Sequence, residues 1–401
     1  LKSDINGEVS DSQYAVEVLK LYRKLMILNE KNLDVFAYLD LSRLEFAKSV
    51  TNTEDSDELY VNALNSLVEK VEKSHSVTDV YFELASFYHD KNMMCNSDSS
   101  SAYYNSLKES VALCEKAVAL FPEANGARKC NNLLVNLKQP SVETVSFMND
   151  VYPDEHFTML VNYRNCDNLY CKVVEVEYDK YFFGDKYKIN DEDKIDLLLA
   201  NDVVNSWSIS LTNVHDYNEH SMEIVLNPLK LGTYAVLISN SPDFDYKKGT
   251  VATCFLQVVD FNVIASRNND NDFELYVVDR NSGKAISKAK VNIYDRKYNN
   301  GDYEYKLMHS LKTDSDGFCR IPDNYIDKSN SSSVFVEIEH GVKWFANNDI
   351  SLCKVSKNDN RKAKPIASYY LDRAIYRPGQ IVHFKGILTV ADDNLYDIVP
   401  N

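Results

Sequence analysis

The sequence has no long apolar run and little glycine or proline. A membrane-spanning helix needs roughly 20 consecutive apolar residues, and no segment of this chain approaches that length. The 401 residues include 11 glycines and 9 prolines, which excludes a collagen-like fibre and a long flexible linker. We therefore expect a folded protein without membrane insertion.

Positive charge is also scarce. The chain has 44 basic and 60 acidic residues, for a net charge of −16. A nucleic-acid groove needs a basic face, so no nucleic-acid partner is expected. The 8 cysteines are too widely spread for a disulfide scaffold. Cys166 and Cys171 could pair only across a turn at Asp167 and Asn168, and cysteine usage leaves the compartment open.

The familiar catalytic motifs are missing. The sequence has no G-x-S-x-G, H-E-x-x-H, P-loop or G-x-G-x-x-G pattern. We therefore name no catalytic residue, no cofactor and no metal site, and predict that the chain is not an enzyme. An enzyme whose catalytic domain lies downstream remains an open alternative.

Three polar stretches were weighed as cation sites. HDYNEH contains His215, Asp216, Glu219 and His220, but a metal site needs ligands that converge in space. DSDG at 314–317 lacks the remaining ligands of a calcium loop, and NNDND at 268–272 is similar. We interpret all three as polar turns, and HDYNEH as a solvated one.

The first third of the chain has helical periodicity. Between residues 11 and 138, apolar residues recur at helical spacing, which predicts about six helices paired as three antiparallel hairpins. The stripes are Tyr14, Val18, Leu21, Leu25 and Leu28; Tyr104, Leu107, Val111, Cys114, Val118 and Phe121; and Ala127, Cys130, Leu134 and Leu137. LCEKAVALFPEANGARKCNNLL (113–134) resembles a tetratricopeptide junction. A peptide-binding groove and a packed helical spacer are both open interpretations.

Beyond Pro140 the period changes to two, which is typical of strands. We predict an antiparallel β-sandwich at 141–258, with a short helix at NDEDKIDLLLAND, and a second sandwich at 259–355. Gly283 and Gly317 are expected to supply positive-φ turns. A charged linker at 356–365 precedes a further β-unit at 366–401, and the helical domain is 1–140. The fold class is thus a multidomain α plus all-β protein.

The stretch YLDRAIYRPGQIVHFKGIL carries the most specific signal. Arg377, Pro378, Gly379 and Gln380 predict a type II turn, with strands on either side that include Ile375, Val382 and Phe384. The window resembles a strand signature of the alpha-2-macroglobulin family. The residues that match it are Asp372, Arg373, Ile375, Tyr376, Arg377, Pro378, Gly379, Gln380, Val382 and Phe384, whereas Leu371 replaces a threonine.

A second segment resembles the sandwich that precedes this strand in bacterial members of the family. It includes Ser282, Gly283, Lys284, Ile286, Ala289, Val291, Tyr294, Thr313, Asp314, Gly317 and Ile321, with Ala285 where proline is usual. The helices before it are similar to those of large Bacteroidetes-like macroglobulin-like proteins. The family's thioester motif is absent: Cys254 and Gln257 come nearest, but the glutamate is missing.

The resemblance implies a macroglobulin-like scaffold. On this interpretation the chain is an N-terminal fragment of a longer parent, cut within its third β-domain. The parent would be an endopeptidase inhibitor that entraps proteases, located in the cell envelope, as a periplasmic or outer-membrane-associated protein, or secreted. Other envelope proteins are further expected partners. The alternative is a protein- or glycan-interaction module without inhibitory activity.

Overall fold

A computed structural model gives the structure of the chain. The residues that it describes are 11–51, 53–95, 100–146, 150–177, 179, 191–267, 272–299, 302–322, 325, 333–345, 352–353, 364–373, 375–377, 379–392 and 395–398. Within them the chain forms helices first and β-sheets afterwards, as predicted. None of the described helices combines the length and apolar character that a membrane crossing requires.

Six helices occupy the predicted helical region. They are α1 (Asp11–Leu28), α2 (Leu33–Val50), α3 (Ser56–Val71), α4 (Val77–Met94), α5 (Ser106–Leu120) and α6 (Asn125–Lys138). Each helix packs on the next along the chain, and α6 also packs on α4. The Asn32 side chain caps α2 by accepting a hydrogen bond from the Val35 amide at 3.3 Å.

The predicted apolar stripes are not equally buried. The stripe of α6 is fully buried, and in α5 Leu107, Val111 and Cys114 lie in the core. The stripe of α1 is wrong as a core prediction, because Tyr14, Leu21 and Leu28 are exposed. A terminal helix has a neighbour on one side only, so periodicity alone does not decide which of its residues are covered.

The thiols of Cys114 on α5 and Cys130 on α6 are hydrogen-bonded to each other, and neither is disulfide-bonded. We expect diamide to join them, because thiols in contact on packed helices need little rearrangement. Closing a loop of about 15 residues should stabilise the helices by ~3 kcal/mol. Intact-protein mass should fall by two hydrogens and the urea midpoint should rise, with Cys114→Ser as control. An unchanged thiol titration would contradict the expectation.

The first sandwich contains two sheets with the core between them. Its elements are β1 (Ser141–Ser146), β2 (Asp150–Val151), β3 (Phe157–Arg164), β4 (Asn168–Glu175), α7 (Asp191–Leu199), β5 (Val203–Ser210), β6 (His220–Leu226), β7 (Gly232–Ser239) and β8 (Val251–Val258). The sheet orders are β1-β3-β6 and β2-β8-β7-β4-β5. The predicted short helix is α7. The prediction of a wholly antiparallel sandwich is wrong in one detail, since β2 pairs with β8 in parallel.

Strand β7 shows why this region reads as apolar almost without alternation. Tyr234, Val236 and Ile238 face the core between the two sheets. Ala235 and Leu237 face the other way and pack with residues of α7. A strand covered on both faces has no solvated side, so its sequence becomes a continuous apolar run.

The second sandwich follows directly. Its strands are β9 (Phe261–Arg267), β10 (Phe273–Asp279), β11 (Lys290–Asn299), β12 (Asp302–Lys312), β13 (Phe318–Ile321), β14 (Ser333–His340), β15 (Val342–Phe345) and β16 (Leu352–Cys353). One sheet has the order β13-β10-β9, and the other has β12-β11-β14-β15 with β16 on β14. Gly283 (φ 65°) and Gly317 (φ 70°) occupy the predicted positive-φ turns.

The DSDG stretch is a turn. The Asp314 carboxylate accepts the amides of Asp316 and Phe318, both at 2.9 Å. Most of NNDND, at 268–271, lies outside the described residues. Cys166 and Cys171 are both buried free thiols, so the pairing considered between them does not occur.

The last β-unit is a three-stranded sheet. It contains β17 (Lys364–Leu371), β18 (Phe384–Asp392) and β19 (Leu395–Ile398) in the order β17-β18-β19. The predicted strands around the turn were too long, because Ile375 and Val382 lie in the connection between β17 and β18. That connection is held by side-chain hydrogen bonds instead of a ladder.

Candidate functional site

The connection between β17 and β18 is closed by the Asp372 carboxylate. Its Oδ1 accepts the Tyr376 hydroxyl and, at 3.1 Å, the His383 amide. The Tyr376 oxygen also accepts the Arg373 amide at 3.1 Å. The conserved-looking chemistry of D-R-x-I-Y thus has a local cause: an acceptor, a phenol and two amides that would otherwise be unpaired at the strand ends.

The tip of the connection is a tight turn. The Gln380 amide donates to the Arg377 carbonyl at 3.1 Å, and the Gln380 Oε1 accepts the Arg377 amide at 2.9 Å. Gly379 has φ +88°, the value that the third position of a type II turn requires. Pro378 lies outside the described residues. The turn agrees with the sequence prediction, and the role of these residues as a family signature stays a prediction.

Charges near the turn connect it to the first sandwich. Arg377 contacts Glu223 on β6, with 3.0 Å between Nη2 and Oε2. The hydrogen bond from Tyr376 lowers the pKa of Asp372. Because these groups are exposed, the ion pair orients the turn without contributing much stability.

An apolar face surrounds the turn and is not covered. Phe384, which begins β18, is 65% exposed and packs only edge-on against Tyr369, 5.9 Å between ring centroids. Leu371 and Ile381 are also exposed. An apolar patch of this kind marks a surface that another element covers.

We expect Asp372→Ala to open the connection between β17 and β18. The His383 and Arg373 amides would lose the acceptors that the carboxylate and its phenol partner provide. Hydrogen exchange at these two amides should accelerate roughly tenfold, as for a lost hydrogen bond of ~1.4 kcal/mol. Asp397→Ala, on β19, is the control. Unchanged exchange at His383 would contradict the role of Asp372.

The HDYNEH stretch forms a second polar cluster, at the contact between the helices and the first sandwich. We call it the polar latch; its members are Asp216, Asn218, His220 and, on α4, Asn92. Asp216 and Asn218 are buried. His220 Nε2 lies 2.9 Å from Asp216 Oδ1, and Asn92 Nδ2 donates to Asn218 Oδ1 at 3.0 Å.

The carbonyl of Tyr104 completes the polar latch. It accepts Asn92 Nδ2 at 2.7 Å and Asn218 Nδ2 at 3.0 Å. Tyr104 precedes α5, so this carbonyl is one that a helix ladder does not pair. The latch therefore joins the start of α5 and the end of α4 to the loop before β6.

The interpretation of HDYNEH as a solvated turn is wrong for its central residues. Asp216 and Asn218 are buried because the helices cover the loop, which the sequence around them does not reveal. Glu219 points elsewhere and accepts Asn162 Nδ2 at 2.8 Å, and His215 is exposed. In the parts of the chain that the structure describes, no three His, Cys, Asp or Glu side chains are placed to hold a metal ion.

The polar latch should make stability depend on pH. Burial raises the pKa of Asp216, but hydrogen bonds from His220 and Asn218 outweigh it and leave the pKa below 3.8. The stabilisation is therefore present above the unfolded-state pKa of about 3.9 and is lost as pH falls through the folded one. Urea midpoints of the wild type and Asp216→Asn should differ at pH 7 and converge below about pH 4. A difference that does not change with pH would contradict this.

Comparisons with known proteins give a limited result. No protein-family model matches the sequence, and no curated protein matches it. Native alpha-2-macroglobulin from Escherichia coli, in a structure spanning domains NIE-MG1, is similar at 15% identity and TM-score 0.36, over 53% of this chain and 99% of that chain. A structure spanning MG0-NIE-MG1 gives 16% identity and TM-score 0.38, over 53% and 64%.

A longer relative behaves in the same way. Salmonella alpha-2-macroglobulin reacted with methylamine is similar at 11% identity and TM-score 0.22, over 64% of this chain and 18% of that chain. Solved bacterial alpha-2-macroglobulins are thus similar to this chain at low identity. At these TM-scores the likeness carries no argument about function.

Proposed function

We propose that the chain is a non-catalytic scaffold segment of a macroglobulin-like protein whose longer parent inhibits endopeptidases by entrapment. The observation that carries the proposal is the signature turn, in which Asp372, Tyr376 and Gly379 each have a specific structural task. The helical region would be a tetratricopeptide-like spacer, and the sandwiches would be macroglobulin-like modules of a cell-envelope or secreted protein.

The uncovered apolar face supports a scaffold role. Tyr369, Leu371 and Phe384 lie beside the turn with large exposed surfaces. In the proposal, further strands of the same module cover them and turn the sheet of β17, β18 and β19 into one half of a sandwich. Such stacked modules would hold the frame that a cut bait segment collapses.

A digestion assay tests the scaffold role. The chain, preincubated in molar excess with trypsin-like, chymotrypsin-like and metallo-endopeptidases, should leave cleavage of a large protein substrate unchanged. The longer parent should block cleavage of the large substrate and spare a small chromogenic peptide, as entrapment requires. Stoichiometric inhibition by this chain alone would contradict the scaffold role, and a parent that blocks neither substrate would contradict entrapment.

The second candidate is an interaction module without inhibitory activity. The observation that favours it is a cavity beside the first sandwich, whose lining includes Arg164, Lys194 and Lys248. The downstream sequence separates the two candidates: a bait-like flexible segment followed by an α/α-toroid favours the inhibitor, and a different C-terminal half favours the module.

A further inference from the structure

A cavity of about 740 Å³ lies where the end of the helical region meets the first sandwich. Three separate regions line it: Gln139 after α6, Arg164 at the end of β3 together with Lys194 on α7, and the connection from Tyr246 to Thr250 before β8. Because these regions are far apart in sequence, the cavity exists only in the folded chain. Its volume suits a small molecule of drug-like size.

The lining of the cavity has one sign of charge. Arg164, Lys194 and Lys248 are among its residues, and no aspartate or glutamate is. The whole chain carries −16, so a concave surface lined by cations alone runs against the overall balance. Low-dielectric walls focus the field of such a group of charges and attract anions.

Arg164 is the group best placed to bind a ligand. One of its terminal nitrogens donates to the Asn136 carbonyl at 3.2 Å, which fixes the side chain. Its Nε is buried and has no hydrogen-bond partner among the described residues. A buried donor without a partner is costly, and an oxyanion in the cavity would satisfy it with the planar geometry that guanidinium favours.

The two lysines differ in how far they are already neutralised. Lys248 pairs with Asp245 at 2.8 Å and with Asp243 at 3.3 Å, and both carboxylates lie outside the lining. Lys194 lies over the Phe255 ring at 5.6 Å from its centroid. Lys194 and Arg164 therefore contribute the larger part of the attraction, and Lys248 mainly shapes the rim.

The connection that forms the rim is held in place before any ligand arrives. The Thr250 amide donates to Asn240 Oδ1 at 2.8 Å, and the Lys247 amide donates to Asp245 Oδ1 at 2.9 Å. A Cβ on Gly249 would lie 2.4 Å from Asn240 Oδ1, so the chain passes too closely for any other residue. A rim fixed in this way loses little entropy on binding.

We propose that this cavity binds a small molecule with two or more oxyanion groups. Arg164 and Lys194 hold the anionic groups, and the hydroxyls of Ser141 and Thr253, also in the lining, are available to the other oxygens. The shared chemistry is a multivalent oxyanion, which carboxylates and phosphates can both supply. The site is independent of the proposed scaffold function and would serve an inhibitor parent or an interaction module equally.

Isothermal titration of the chain with pyrophosphate and with citrate tests the site and separates phosphate from carboxylate sources. Saturable binding of at least one probe is expected. Arg164→Gln should weaken it at least tenfold, because a charge-assisted hydrogen bond is lost, and Lys194→Gln should weaken it several-fold. Lys230→Gln, which removes the same charge from an exposed lysine paired with Asp154, should leave affinity within about twofold.

Three results would overturn the proposal. They are no saturable binding of either probe at millimolar concentration, equal weakening by Lys230→Gln, and unchanged affinity in Lys194→Glu. The last variant reverses a charge on the partly exposed surface of α7 and should not affect folding. Circular dichroism of each variant verifies that the chain is folded before its affinity is compared.

Discussion

Gly126→Ala is expected to destabilise the helical region by about 2 kcal/mol or more. Gly126 begins α6 against the first turn of α4, and a Cβ there would lie 2.2 Å from the Asp79 amide nitrogen and 2.5 Å from the Thr78 carbonyl oxygen. Both are backbone atoms, so a side-chain rotation cannot relieve the contact. Overpacking of this kind costs about 1–3 kcal/mol or more, which exceeds the gain of up to about 1 kcal/mol in helix propensity.

Urea unfolding followed by helical ellipticity measures this effect. Asn132→Ala is the matched control, because it introduces the same residue on the exposed side of the same helix. It should change the free energy of unfolding by less than about 0.5 kcal/mol, and in the stabilising direction. Equal stability of Gly126→Ala and the wild type would show that α4 and α6 do not approach as closely as described.

The second large effect is expected from Asn218→Ala. The Asn218 side chain donates to the Tyr104 carbonyl and to Asp216 Oδ2, and it accepts from Asn92. Removing it leaves buried donors and acceptors unpaired inside the polar latch, at a cost of about 1–3 kcal/mol. Because the latch joins the helices to the first sandwich, the loss should fall on the contact between them.

Calorimetry should then show the helices and the first sandwich melting at more widely separated temperatures. Proteolysis between α6 and β1 should become faster, since that connection would be held by fewer contacts. Asn162→Ala is the control: this side chain binds Glu219 and Ser221 near the surface of the same sandwich. If both variants shift the two transitions equally, the latch does not couple the units.

Much of the fold could be predicted from local patterns. The stripe of Ala127, Cys130, Leu134 and Leu137 predicts α6 because a helix places every third or fourth residue on one face. Gly283, Gly317 and Gly379 identify turns because their backbone conformation is strained for other residues. The order of helices before strands follows from the change of period at Pro140.

Other features could not be predicted in this way. Asn92 was read only as part of a helix break, yet it binds Asn218 across 126 positions of sequence. Glu337 is buried on β14 and accepts Asn292 Nδ2 at 2.7 Å, although its flanking residues read as an ordinary alternating strand. In α1, exposed Leu21 and Leu28 show the reverse error, in which a regular apolar stripe lies largely uncovered.

The amino-acid sequence alone determined which segments become helices, strands and tight turns, including the one at Gly379, since these depend on side-chain period and on backbone dihedral preferences over a few residues. The tertiary structure decided the rest: that HDYNEH is a buried latch, that Arg164 and Lys194 share a cavity, and that α4 and α6 touch at Gly126. Burial and electrostatic attraction depend on distance in space, and the chain brings these groups together only when separately formed elements pack.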